Sequence, residues 1–239
     1  MLRSLLLLAM TASVAVAQPP ETFEVATIKL SDPASPETSF HFDTRGNLKA
    51  EGTTLADLIR YAYDLRDFQL SGASGWMSAT RYSIVGKAGP TKVPLPVIRK
   101  RLQALLTERF HLALHTEAKD MPIYALVIAK GGLKLHRNTS TDKPRGVGSG
   151  PSTFRGTGIP LDEFARGLSG ITGRPVRNET GLDGLYDIDL HWIPDNAPAD
   201  SVRPSLYTAL QEQAGLKLEA KKGPVDVTVI DRAERPSEN

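Results

Sequence analysis

The sequence contains no cysteine among its 239 residues. Disulfides, thiol nucleophiles and cysteine metal ligands are therefore excluded, and so is a lipid-bearing cysteine behind an export signal. It also lacks an excess of charge: 29 basic and 27 acidic side chains leave a formal net charge of +2, mixed along the chain. A nucleic-acid partner would require a concentrated basic face. The densest basic run, Arg99-Lys100-Arg101, is expected on the solvated side of a helix, so no nucleic-acid partner is expected. Beyond the N-terminus no second long apolar run occurs, so nothing in the mature chain is expected to span a membrane as a helix.

What is present begins at the N-terminus. Arg3 gives a positive start, and the apolar run Leu5–Met10 continues through Val14 and Val16 to close on Ala15-Val16-Ala17. Small residues at those spacings are what signal peptidase reads, which places the cut after Ala17. The chain is therefore expected to be exported, periplasmic or secreted, as Gln18–Asn239. With 40% apolar and 23% charged residues it has the composition of a globular protein.

The mature part reads as one pattern written twice. Leu55, Leu58, Ile59 and Ala62 fall on one face of a helix, with Thr54 as its N-cap and Asp57 in its first turn. Moving on by 106 residues gives Leu161, Phe164, Ala165 and Leu168 at the same spacing, and carries Gly52 onto Gly158. A second helix, with Ile98, Leu102, Leu105 and Leu106, recurs 104 residues later as Val202, Leu206, Ala209 and Leu210. Each copy is expected to run helix, strand, strand, helix, strand, strand. In the first these are about 55–63, 67–71, 81–87, 95–110, 112–117 and 123–129. In the second they are about 161–172, 175–179, 186–193, 203–214, 216–221 and 226–231. A strand over 22–30 and a hairpin across 44–47 precede the first copy. The expected fold is α+β: two tandem αββαββ-like units with antiparallel or mixed sheets and helices on one face. The division is 18–136, a flexible connector over 137–152 rich in Ser, Thr, Pro and Gly, then 153–239 with a frayed polar tail after Arg232.

No catalytic motif is found. A serine elbow needs G-x-S-x-G, and Gly72-Ala73-Ser74-Gly75 and Gly167-Leu168-Ser169-Gly170 both lack that spacing. No phosphate loop opens a helix. His111 and His115 have the spacing of a zinc helix but fall on an expected strand, where they stand ~13 Å apart. The densest cluster of possible ligands is Asp187, Asp189, His191 and Asp195, alternating with Ile188, Leu190 and Trp192 as a half-solvated strand does. No catalytic, cofactor or metal residue is assigned. The candidate ligand-binding residues are Trp76, Tyr82, Tyr186, Asp187, Asp189, His191 and Trp192, although a core role is the first expectation for each Trp.

Several strings together carry a resemblance. They include Phe23-Glu24-Val25-Ala26-Thr27-Ile28-Lys29, Leu58-Ile59-Arg60-Tyr61-Ala62-Tyr63, Gly75-Trp76 and Arg81-Tyr82. Further on come Pro122-Ile123-Tyr124-Ala125-Leu126-Val127, Thr180-Gly181-Leu182-Asp183-Gly184-Leu185-Tyr186-Asp187 and the final Glu234-Arg235-Pro236-Ser237-Glu238-Asn239. Over nearly the whole mature length the chain resembles a family of exported, soil-associated proteins of Acidobacteria built on a domain of unknown function. That resemblance implies no chemistry. Relatives that carry the domain behind a membrane peptidase of the antibiotic-sensor type imply sensing. In element order and leucine pattern the chain is also similar to the short N-terminal domain of secretins and TonB-dependent receptors, periplasmic adaptors that contact proteins through sheet edges.

The expected function is a non-catalytic binding or adaptor module for protein or peptide in the cell envelope, since two similar sheets offer a groove and open edges. The alternatives are a small-molecule or envelope-sensing domain using Trp76 or Trp192, and an envelope-polymer hydrolase using Asp187, Asp189, His191 and Asp195.

Overall fold

In the first copy, alternating burial and one helix cap set the layout. The computed structural model describes residues 21–32, 38–140, 145–193 and 203–237; residues 1–17, over which an export signal is expected, and Asp195 and Val202 lie outside them. Strands β1 (Val25–Leu30), β2 (Ser39–Phe42), β3 (Leu48–Thr54) and β5 (Arg81–Lys87) form an antiparallel sheet in the order β1-β5-β3-β2. One face is apolar: Ile28, Leu48, Ala50, Tyr82 and Ile84 are buried. Helix α1 (Leu55–Tyr63) buries the four residues expected of it. Thr54 caps it reciprocally, its hydroxyl oxygen accepting from the Asp57 N–H at 3.2 Å while its own N–H donates to the Asp57 carboxylate at 3.3 Å. A short helix α2 (Trp76–Ala79) precedes β5, and α3 (Leu95–Phe110) buries Ile98, Leu102, Leu105, Leu106 and Phe110. His111 ends α3 in the left-handed conformation, so it is a helix cap and not a strand residue.

The basic run on α3 departs from expectation. Lys100 is exposed and pairs with Glu21 at 2.6 Å, but Arg101 is 2% exposed. Its guanidinium donates to the Arg45 carbonyl at 3.0 Å in the β2–β3 turn. A single residue step separates the two environments, because successive residues on a helix point about 100° apart. In the same turn the Asp43 carboxylate accepts from the N–H groups of Arg45 and Asn47 at 2.9 and 3.0 Å and from the Asn47 side-chain amide at 2.7 Å.

The second copy repeats this plan in detail. β7 (His136–Arg137), β8 (Gly146–Gly150), β9 (Thr153–Ile159) and β11 (Tyr186–His191) form a second antiparallel sheet ordered β7-β11-β9-β8, with α4 (Leu161–Thr172) following β9 as α1 follows β3. Ala50 pairs with Ile84 and Thr53 with Tyr82; the corresponding pairs are Gly156 with Ile188 and Ile159 with Tyr186. Between those pairs each copy carries a bulge built on a glycine with positive φ, 62° at Gly52 and 59° at Gly158. The freed N–H is answered by local chemistry. Gly52 donates to the Ser31 hydroxyl at 3.1 Å, itself bonded to Ser83 at 3.0 Å. Gly158 donates to Asp187 Oδ1 at 2.9 Å, which also accepts from the Asn138 amide at 2.7 Å.

The last strands differ most from expectation. Instead of a strand, a turn and a strand in each copy, β6 (Ala113–Ile128) and β12 (Leu216–Arg232) run unbroken and pair with each other, from Ile128 opposite Leu216 to Ala113 opposite Arg232. Pro122 and Pro224 do not end them. Around these positions neither strand has a further partner among the described residues, so a residue without an N–H is tolerated as on a sheet edge. The third sheet is completed by β10 (Val176–Asn178), parallel to β6, and β4 (Leu70–Ser71), parallel to β12. Each copy thus lends its short strand to the other copy's long one.

Two more elements are corrected. The expected second-copy helix is α5 (Leu206–Ala209) running into a π-helical turn, Leu210–Ala214. Within the expected connector, Gly146–Gly150 is β8; residues 141–144 lie outside the described set. By internal contacts the described residues form two units, one from those within 21–63, 75–111 and 234–237, the other from those within 64–74 and 112–233. The second unit has its own core around Phe154, Phe164, Leu168, Leu190 and Trp192. No helix among the described residues is long and apolar enough to cross a membrane.

Two outcomes are expected from this plan. Gly158→Ala places a Cβ in the left-handed region and costs about 1–2 kcal/mol, and Asp187→Ala strands the bulge N–H at a cost of about 1–3 kcal/mol; urea unfolding measures both. The hydrogen bond from the Asn47 side chain, with its backbone partners, holds the Asp43 carboxyl down at about 2. Because the folded value is depressed, the stability it contributes is complete above the unfolded value of about 3.9 and is lost as pH falls toward 2. Asn47→Ala raises the Asp43 pKa toward the ordinary range, as an NMR titration of its side chain reports.

Candidate binding site

The seven candidate residues divide between the two units. Tyr186, Asp187, Asp189, His191 and Trp192 lie on or beside β11, and the expected alternation holds: Tyr186, Ile188, Leu190 and Trp192 are buried. Trp192 is a core residue of the second unit. Tyr186 donates its hydroxyl to the Asp183 carbonyl at 3.2 Å. Asp187 is occupied by the Gly158 bulge. Asp189 is exposed and pairs with Arg155 at 3.1 Å and His191 at 2.9 Å. The His191 backbone is clamped from both sides by the Gln213 amide, at 2.9 and 2.8 Å. These polar groups are largely answered by their neighbours along the strand.

Other groups with catalytic potential are similarly engaged. Ser169 is buried on α4, donates to the Ala165 carbonyl at 2.9 Å and accepts the Val176 N–H at 2.8 Å, which positions β10. His115, on β6, bonds Asp231 at 2.7 Å, and His111 lies 3.8 Å from Glu234. Among the described residues no group of three His, Asp or Glu side chains could hold a metal ion.

Trp76 and Tyr82 belong to a different setting, in the first unit. Tyr82 is 2% exposed, its ring edge-on to Phe110 with centroids 5.4 Å apart. Its hydroxyl is buried without a hydrogen-bond partner, and burial pushes its pKa up. An unanswered buried hydroxyl costs about 1–3 kcal/mol, so it asks for a reason. Tyr82 lines a cavity of about 300 Å³ with Ile28, Lys29, Leu30, Thr80 and Arg235. The Arg235 guanidinium stands 5.7 Å from the centre of the Trp76 ring and acts on the Tyr82 hydroxyl as a nearby positive charge.

Arg235 was hidden in the sequence because the tail reads as frayed. The structure corrects that: the Glu234 N–H donates to the Phe110 carbonyl at 2.7 Å, and Arg235 and Pro236 wall the cavity. The only sequence signal was an arginine and a proline in a polar end. A second cavity, of about 210 Å³, lies where Phe23, Glu24 and Ala26 meet Ala104, Leu105 and Arg109 of α3. The two cavities therefore border opposite ends of β1.

Tyr82→Phe removes the orphan hydroxyl and keeps the ring on Phe110. The expected result is a gain of up to about 1–3 kcal/mol in unfolding free energy, read by chemical denaturation.

Residues 56–233 match the family described as a protein of unknown function (DUF3738), from α1 to the end of β12. No curated protein and no solved structure matches the chain.

Proposed function

The chain belongs to the DUF3738 family, a premise that brings no activity with it, and we propose that it is an exported, non-catalytic binding module that takes an extended peptide or protein segment by strand addition at β1. The observation that carries this reading is the state of β1. It is a six-residue strand at the end of its sheet, paired among the described residues with β5 alone. Val25 and Leu30 are 61% and 56% exposed. An added strand would gain main-chain hydrogen bonds along β1 and specificity from pockets taken by alternate side chains. The two cavities beside β1 border Ala26 and Leu30, four residues or ~13 Å apart, which matches side chains i and i+4 of an added strand. The settled bonding of Asp187, Asp189, Ser169 and His115 supports binding over hydrolysis.

The test places a photo-crosslinking residue at Lys29 of the mature chain and, as control, at Lys130. Adducts with envelope proteins are mapped, and a synthetic peptide of the mapped segment is added back. Crosslinking at 29 alone, with slowed amide exchange over 25–30 on adding the peptide, is the expected result. Equal labelling from both positions, or unchanged exchange in β1, rejects strand addition.

A further inference from the structure

We infer that the cavity between β1, Tyr82 and the C-terminal tail is a site for a carboxylate carried on an apolar body. The chemistry of its wall is one-sided. Lys29 and Arg235 supply two cations, and among the described residues neither is in an ion pair and no Asp or Glu lines the cavity. Ile28 and Leu30 supply apolar surface. The buried Tyr82 hydroxyl supplies a donor that nothing in the fold uses.

These features fit one another. A cation left unpaired beside an unanswered donor is wasteful for stability, and a bound carboxylate would answer both with charge-assisted hydrogen bonds. An uncharged polar ligand would leave the two cations without a counter-charge, and a wholly apolar one would leave the hydroxyl orphaned as well. The volume of about 300 Å³ is at the small end of ligand pockets, which limits the apolar body to a short chain or a single ring. Trp76 holds the Arg235 guanidinium from outside the cavity wall, which pre-positions a side chain that would otherwise be disordered in water.

Such a carboxylate is either that of a free organic acid or that at the C-terminus of a peptide. The site does not depend on strand addition at β1. Calorimetric titrations of the mature protein separate these cases, using hexanoate and phenylacetate, their neutral amides, and a tetrapeptide ending in Phe with a free or an amidated C-terminus. The expected result is binding of at least one carboxylate form, with its amide weaker by about tenfold or more, the scale of a charge-assisted hydrogen bond. Arg235→Gln, in an exposed side chain, weakens that binding by a similar factor. Tyr82→Phe weakens it too while unfolding at higher urea than the parent, a combination that a purely structural role for the hydroxyl would not produce. Binding of the free acids identifies a small-molecule site; binding of the free-ended peptide alone identifies a C-terminus. Acids and amides that bind alike, no binding by any carboxylate up to its solubility, or Arg235→Gln without effect overturns the inference. An amidated peptide that protects the β1 amides as well as its free-acid form overturns this site and leaves strand addition standing.

Discussion

The pairing of β6 with β12 is the constraint on which the second unit depends. Fifteen residue pairs run from Ile128–Leu216 to Leu114–Ile230 in one register, and an irregularity after Ile230 shifts the last pair to Ala113–Arg232. A slip of one residue would turn Ile123, Ala125, Val225 and Val227 from their buried side to solvent. It would also displace both short strands, since β10 docks on Tyr124–Leu126 and β4 on Thr228–Val229. Each of these contributes only two or three bridges and could not hold a place by itself. The long ribbon gives the last strand of each copy its only extended partner, so neither copy is complete in its pairing without the other.

The two four-stranded antiparallel sheets, one in each copy, show how two diverged sequences solve one backbone problem. The bulge at Gly52 or Gly158 leaves an N–H without a strand partner, and a buried donor must find an acceptor. One copy uses a serine pair and the other an aspartate with an asparagine. Asp187, one of the four members of the densest candidate cluster in the sequence, is therefore a backbone support. Alternation along β11 identified which side chains face outward, but not what they bond, because a hydrogen-bond partner such as Asn138 sits far away in the chain.

The first unit has the opposite character around Tyr82. There, among the described residues, the Tyr82 hydroxyl has no hydrogen-bond partner and Lys29 and Arg235 stand in no ion pair, beside an exposed edge strand. Proteins carry such unresolved groups where something else completes them. The elements that create the setting come from three distant stretches, β1, β5 and the tail at Glu234–Ser237.

Much of the local structure was legible in the sequence. The bounds of α1, β5, α3 and α4 follow from apolar spacing and caps, and the repeat follows from matched spacing over distances that chance does not sustain. Strand β9 was missed because glycines at 156 and 158 erase the alternation that marks a strand, and β6 and β12 were cut in two because proline reads as a turn. Trp76 and Tyr82 could be named as candidates, while Arg235 and the buried side of Arg101 could not. The sequence by itself determined the compositional class, the helices and the twofold pattern, because these depend on residues within a few turns of one another. Only the tertiary structure decided which long strands pair, which polar groups are answered and where the tail lies, because each of those depends on contacts between residues some 30 to 200 positions apart.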